Sequence, residues 1–160
     1  MRGARREDIL AHSLALFAEH GPHQVSTRQI AQAVGISQPS LYAHFPSRDA
    51  IGVELCCRAF DHLHDRMQAT AEAIAEPAGR IREIGRTYIG FGLENEAAYR
   101  VAFMLEMPSE DGEQSRVLAA GLRAFGVLRS AFDALPLAPD QRDLALAARL
   151  DVVAGRVLKG

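Results

Sequence analysis

The sequence predicts an all-α fold, in which an N-terminal three-helix head precedes a C-terminal helical bundle. Apolar residues recur at the helical period along almost all of the 160 residues. No β-type alternation continues for more than a few residues, and serines and glycines stand at positions typical of helix ends. The composition, with 48% hydrophobic and 24% charged residues, is that of a globular protein and excludes disorder as the main state.

Local signals define the first two helices. The first has an apolar repeat at Ile9, Leu10, Leu14, Leu16 and Phe17. It is predicted to end at Gly21 and Pro22. Ser26 and Gln29 have the spacing of a capping box, which predicts that the second helix begins there, and Gly35 stands at its C-cap position.

A short third helix and a long fourth helix follow. Ser37 is a predicted N-cap, and Pro46 is predicted to end the third helix after Leu41, Tyr42 and Phe45. Ser47 is predicted to cap a helix from Arg48 to about residue 75. The core face of that helix is predicted to include Ile51, Leu55, Ala59, Leu63 and Met67.

Four more helices are predicted in the remaining chain. They extend from about residue 77 to 92–95, from Glu96 to Met107, from about residue 113 to 135, and from Asp140 to the C-terminus. A polar loop is predicted at 108–112 and a turn at 136–139. We expect the head to be a domain of residues 1–48 and the bundle a domain of residues 49–160.

The stretch from residue 27 to 45 has the spacing of a helix-turn-helix unit. Ala31 is the small residue where two helices cross, and Gly35, four residues later, is the turn glycine. The second helix then projects hydrogen-bonding side chains outward, at Gln38, Ser40, Tyr42 and His44. Such side chains at a helix N-terminus are suited to DNA phosphates and major-groove base edges. The same spacing also fits a plain helical hairpin, so a protein–protein interaction module without specific DNA binding remains the alternative.

At these residues the sequence resembles the tetracycline-repressor (TetR) family of transcriptional regulators. The resemblance covers roughly residues 5–55, and a weaker one covers the segment around 95–104. The motifs that carry it are Ile30-Ala31, Val34-Gly35-Ile36-Ser37 and Leu41-Tyr42-Ala43-His44-Phe45-Pro46-Ser47-Arg48.

The resemblance implies roles for individual residues of the head. Gln38, Pro39 and Ser40 stand where family members contact bases, and Tyr42, His44 and Arg48 stand where they contact phosphates. Thr27 and Arg28 begin the preceding helix, which also touches DNA in many members.

The resemblance further implies a homodimeric repressor that binds a palindromic operator in double-stranded DNA and is released by a small-molecule effector. We expect the region 49–160 to lack the family's usual last helix, which leaves dimerisation open. Operator sequence, effector identity, regulated genes and the choice between repression and activation are not written in the chain.

Aromatic and apolar residues of the bundle are the candidates for an effector pocket, because helical bundles bind ligands between their helices. These candidates are Phe60, Leu63, Met67, Tyr88, Phe91, Tyr99, Phe103 and Phe125. The alternative for each residue is that it belongs to the core.

The sequence lacks the motifs that indicate other classes of function. The two cysteines are adjacent, which predicts buried thiols rather than a disulfide framework, and no histidine pair has zinc spacing. We therefore expect no metal, no cofactor and no enzyme activity. No apolar stretch approaches about 18 residues and no signal-peptide core follows the basic N-terminus, so we expect a soluble cytoplasmic protein that does not bind membranes.

The net charge of −2 is unevenly distributed. Residues up to 48 carry five arginines against three acidic residues, and the rest of the chain is acidic. A basic head is compatible with nucleic-acid binding, and it is equally compatible with chance scatter of surface charge.

Overall fold

The computed structural model describes residues 2–104 and 111–157, and these residues fold into α-helices joined by short turns. The helices are α1 (Arg2–His20), α2 (Thr27–Val34), α3 (Gln38–Tyr42), α4 (Arg48–Ala73), α5 (Pro77–Glu94), α6 (Glu96–Met104), α7 (Asp111–Asp133) and α8 (Pro139–Val157), with a 3-10 turn at Pro22–Gln24. No strand occurs within those two ranges, and the predicted all-α class is confirmed. None of the helices described is both long and apolar enough to cross a lipid bilayer.

The predicted helix caps of the head are confirmed. The Ser26 side chain accepts from the Gln29 backbone N–H while the Gln29 side chain accepts from the Ser26 backbone, which completes a capping box. Gly35 ends α2 with φ 72°, in the left-handed region that glycine adopts without strain. Ser37 caps α3 and Ser47 accepts from the Ala50 backbone N–H at 2.9 Å, which begins α4.

Two predicted boundaries were wrong. Helix α3 ends at Tyr42 instead of continuing to Phe45, because the following Pro46 disfavours helical backbone at Phe45. The His44 and Phe45 amides both donate to Leu41 O in the turn that follows. Residues 111–112 begin α7 instead of belonging to a loop, since polar composition does not distinguish a loop from the first turn of a helix. The predicted helix end at Met107, the part of the predicted loop at 108–110 and the predicted continuation of the last helix over 158–160 lie outside the described residues.

The chain divides into two compact units. The first comprises the described residues within Met1–Ala59 and Ala97–Leu118. Its core contains Ile9, Leu10, Phe17, Val25, Ile30, Ala31, Leu41, Phe45, Ile51, Leu55, Cys56 and Val101, with Val117 packed against it. The core of the head therefore includes residues from α6 and α7. The domain boundary after residue 48 stays a prediction, because a division by packing need not coincide with a division by function.

The second unit comprises the described residues within Phe60–Glu96 and Ala119–Gly160. Its buried residues include Phe60, Leu63, Met67, Ile81, Ile84, Tyr88, Phe91, Ala120, Ala124, Val127, Leu128, Ala131 and Phe132. The predicted core face of α4, from Ile51 to Met67, is buried throughout and is confirmed. On α7, alanines supply much of the packed face, whereas Leu122 is exposed.

Candidate nucleic-acid interface

The turn between α2 and α3 sets the geometry of the candidate interface. Gly35 N–H donates to Gln32 O at 3.1 Å and Ile36 N–H donates to Ala31 O at 2.9 Å, so these two carbonyls at the end of α2 have partners. Ile30 on α2 and Leu41 on α3 are fully buried. These apolar contacts fix one face of each helix in the core and leave the opposite face of α3 toward solvent.

Three of the sequence-predicted residues lie together on that face. The Gln38 side-chain amide donates to the Thr27 hydroxyl at 3.0 Å, and the Tyr42 hydroxyl lies 3.2 Å from the same oxygen. Tyr42 is 47% exposed, and Gln38 is half-buried. Thr27 therefore joins the first and last residues of α3 to the start of α2.

Other predicted base-contacting residues stand at the start of α3. Pro39 and Ser40 are both exposed. The Ser40 hydroxyl lies 2.8 Å from the Ser37 hydroxyl, and the Ser40 N–H donates to that Ser37 oxygen at 3.3 Å. Ser40 is thus part of the N-cap arrangement while its hydroxyl remains on the accessible surface.

The predicted phosphate-contacting residues differ in how they are held. Arg48 donates to Asp49 Oδ1 from Nε at 3.0 Å and from Nη2 at 2.9 Å, so this carboxylate offsets its charge. A second contact runs from Arg48 Nη1 to His23 O at 3.4 Å. Arg28 is exposed on α2, and His44 is half-buried in the turn after α3.

Arg6 makes contacts in this region that the sequence analysis did not predict. Its Nη1 donates to His44 O at 3.0 Å, and its guanidinium carbon lies 4.0 Å from the centre of the Phe45 ring. Its Nη2 lies 3.3 Å from Glu54 Oε2. These contacts could not be predicted from the sequence, because the partners of Arg6 are 38 or more positions away along the chain. The positive charge of an arginine does not indicate which residues its side chain contacts.

The predicted effector-pocket residues fall into both units. In the second unit, Phe125 packs against Phe60 and Tyr88 with ring centres 6.4 and 5.9 Å apart, and Leu63, Met67 and Phe91 are buried there as well. In the first unit, Tyr99 and Phe103 stack on each other at 4.4 Å.

The second unit also has an open groove of about 520 Å³ that contains none of these predicted residues. It is lined by His64, Gln68, Ala71, Glu72, Arg80, Arg123, Gly126, Val127, Ser130 and Ala131. Within the described residues, no group of three or more His, Cys, Asp or Glu side chains is arranged to hold a metal ion.

Two family models match the chain. Residues 9–55 match the model described as bacterial regulatory proteins of the tetR family, and residues 81–154 match that of a tetracyclin repressor-like C-terminal domain. The first match includes the whole helix-turn-helix unit, and the second covers most of α5, all of α6 and α7, and most of α8.

Curated relatives and solved structures agree with these matches. The nucleoid occlusion factor SlmA of Escherichia coli (strain K12 / DH10B) is 34% identical over 119 residues, which is 71% of this chain and 58% of the length of that relative. The same factor of Citrobacter koseri has the same identity and coverage. The regulator PfmR of Thermus thermophilus has a TM-score of 0.81 at 22% identity, over 93% of this chain and 84% of that chain. AibR, solved with isovaleryl coenzyme A and operator DNA, has a TM-score of 0.80 at 18% identity, over 93% and 83%. These structural likenesses show the fold.

Proposed function

The chain belongs to the TetR family of bacterial regulatory proteins, and from this premise we propose that it is a sequence-specific DNA-binding regulator of transcription. The observation that carries the proposal is the arrangement around Thr27, which holds Gln38 and Tyr42 in fixed positions on the exposed face of α3. A pre-ordered polar face loses less conformational freedom when it enters a groove of DNA.

Each side chain in the proposed interface has a role that suits its chemistry. Gln38, Pro39 and Ser40, at the start of α3, face base edges in the major groove. There the Gln38 amide and the Ser40 hydroxyl distinguish base pairs by hydrogen bonds, and Pro39, which has no donor, makes apolar contact. Tyr42, His44 and Arg48 contact phosphates, which orient the protein on the duplex. Thr27 and Arg28 extend the phosphate contacts to the start of α2.

We further propose that the protein acts as a homodimer on a palindromic site. A two-fold symmetric dimer presents two α3 helices, so its half-sites lie about one helical turn or a multiple of it apart. Family membership and the presence of operator DNA in the AibR structure support this proposal.

Release by a small molecule is the remaining part of the proposed function. Support comes from AibR, which was solved with isovaleryl coenzyme A, and from the aromatic cluster of Phe60, Tyr88 and Phe125 in the second unit. An effector lowers DNA affinity only if it binds the DNA-released conformation more tightly than the DNA-bound one. In this unit the proposed effector residues are Phe60, Leu63, Met67, Tyr88, Phe91 and Phe125, and the groove beside His64 and Arg123 is a second proposed binding place in the same unit.

The name of the SlmA relatives favours a second candidate, a nucleoid occlusion factor. Mapping bound DNA across the chromosome distinguishes the two candidates. Binding concentrated beside a few genes supports a regulator of transcription, and binding spread along the chromosome supports nucleoid occlusion.

The proposed DNA binding is tested by measuring the affinity for duplex DNA over a range of salt concentrations. Neutralised phosphates release counterions, so log K should fall linearly with log salt, and Arg28→Gln should reduce the slope by about one. The exposed Arg82→Gln on α5 is the matched control and should leave the slope unchanged. A weak, salt-independent interaction would instead favour the protein–protein interaction module.

A further inference from the structure

We infer that Arg6 is a positioning residue for α3, because it holds the turn after α3 against α1 while Glu54 holds Arg6. The inference rests on the proposed function in one respect, namely that α3 is the helix that reads DNA. Arg6 itself is assigned no contact with DNA, which separates it from Arg28 and Arg48 in the proposed interface.

The guanidinium of Arg6 makes two contacts with the residues that follow α3. Its Nη1 donates to His44 O at 3.0 Å, and its carbon lies 4.0 Å from the centre of the buried Phe45 ring. A charged donor strengthens the hydrogen bond to the carbonyl, and a cation over an aromatic face adds an electrostatic attraction. Both contacts act on the backbone segment that connects α3 to α4.

Glu54 on α4 fixes the direction of Arg6. Its Oε2 lies 3.3 Å from Arg6 Nη2, with the side chains only 21% and 37% exposed. The other carboxylate oxygen accepts from Arg58 Nε at 3.1 Å, and Arg58 Nη2 in turn donates to Glu7 Oε1 at 2.9 Å. Arg58 thus joins Glu7 on α1 to Glu54 on α4, and its hydrogen bond lowers the pKa of Glu7.

The same carboxylate extends the arrangement to α7, where Arg116 Nη2 lies 3.8 Å from Glu54 Oε2. Arg6 and Arg116 thus form ion pairs with the same carboxylate oxygen. A change in the position of α7 within this unit would alter how strongly Glu54 holds Arg6, and through Arg6 the turn at His44.

The length of α3 makes such a support necessary. A helix of five residues has few internal hydrogen bonds and is unstable in isolation. Its orientation therefore depends on its ends. Ser37 and the hydrogen bond from Gln38 to Thr27 hold the first turn, the Tyr42 hydroxyl lies beside Thr27 at the last residue, and Leu41 holds the buried face. The Arg6 contacts hold the segment after its last residue.

The test compares Arg6→Gln with Arg28→Gln in the full chain. The DNA is a site that the wild type enriches from a random library (the selected site) and a duplex of the same bases in shuffled order. We expect Arg6→Gln to lower affinity for the selected site about tenfold and to change affinity for the shuffled duplex much less. The slope of log K against log salt should be the same as in the wild type. Arg28→Gln should instead lower the slope. If Arg6→Gln lowers the slope by about one, Arg6 is a phosphate contact and the inference is wrong.

Coupling between Arg6 and Glu54 is tested by the double variant. Glu54→Gln should reduce specific binding in the same direction as Arg6→Gln, and the double variant should lose little beyond the larger single effect, because both act through one contact. Independent, multiplying effects would overturn the assignment of Glu54.

Hydrogen exchange gives a readout that does not depend on DNA. The His44 and Phe45 amides, both bonded to Leu41 O, should exchange about tenfold faster in Arg6→Gln, while the Ile30 amide of α2 should be unchanged. Should Arg6→Gln not fold, Glu54→Gln is measured instead, with the same expectation. Unchanged exchange at His44 and Phe45 would refute the positioning role, whereas absent DNA binding by the wild type would refute only the proposed function.

Discussion

The Tyr42 hydroxyl lies 3.2 Å from the Thr27 hydroxyl, so the last residue of α3 is joined to the first residue of α2. Thr27 also accepts a hydrogen bond from Gln38 at the other end of α3. A single hydroxyl therefore relates both ends of the exposed face of α3 to the neighbouring helix.

Replacing Thr27 by valine tests this relationship. The variant keeps the β-branched shape but removes the oxygen that Gln38 and Tyr42 share. Because both side chains are accessible to water, we expect a loss of stability below about 1 kcal/mol. Discrimination between a selected site and a shuffled duplex should fall about threefold to tenfold, measured by fluorescence anisotropy. Thr27→Ser, which keeps the oxygen, is the control, and equal discrimination by wild type and Thr27→Val would contradict the prediction.

Two glycines with open space at Cβ should respond in opposite directions to alanine. Gly35 has φ 72°, so Gly35→Ala should destabilise the protein by about 1–2 kcal/mol through backbone strain alone. Gly126 lies inside α7, and Gly126→Ala should stabilise by about 0.5–1 kcal/mol. Urea denaturation measures both changes. A stabilising Gly35→Ala would contradict the left-handed turn.

Ser13 is buried in α1, and among the described residues its hydroxyl has no hydrogen-bond partner. A buried hydroxyl without a partner has lost its hydration without compensation, and alanine has the higher helix propensity. We therefore expect Ser13→Ala to stabilise the protein by about 1 kcal/mol in thermal or urea unfolding. The exposed Ser115→Ala on α7 serves for comparison. A loss of more than about 1 kcal/mol in Ser13→Ala would show that the hydroxyl has a partner after all.

Cys56 should be unreactive in the folded protein. Burial, with a smaller contribution from the neighbouring Cys57, raises the pKa of the Cys56 thiol to about 12, and its Sγ donates to Val101 O at 3.3 Å. Since the thiolate is the nucleophile, Cys57→Ser should react with iodoacetamide at pH 8 on the order of a thousandfold more slowly when folded than in denaturant. Rates within about tenfold of each other would indicate an accessible thiolate.

The helix ends of the head were predictable because their causes are local. Ser26 with Gln29, Gly35 and Ser37 each act within four residues, and the structure has the predicted cap at every one. The end of α3 was missed because two local effects compete there. The spacing of Leu41, Tyr42 and Phe45 favours continuation of the helix, and Pro46 ends it earlier.

Contacts between distant parts of the chain could not be read from the sequence. In the sequence, Arg6 cannot be told from any exposed basic residue. In the structure it donates a hydrogen bond to His44, which lies 38 positions further along the chain. Helix α7 shows a related difficulty. Large apolar residues such as Leu122 are the first candidates for the packed face of a helix, yet Leu122 is exposed and Ala124 and Ala131 are buried. Close packing selects small side chains at these positions, and periodicity does not distinguish buried alanines from surface alanines.

Selection from a random double-stranded DNA library at moderate salt, followed by sequencing of the bound pool, is the direct test of sequence-specific DNA binding. We expect enrichment of a two-fold symmetric site with half-sites about one helical turn or a multiple apart. We also expect Gln38→Ala to select a degenerate base at one position of each half-site. A pool without any enriched sequence, obtained with folded protein, would contradict sequence-specific DNA binding by this chain.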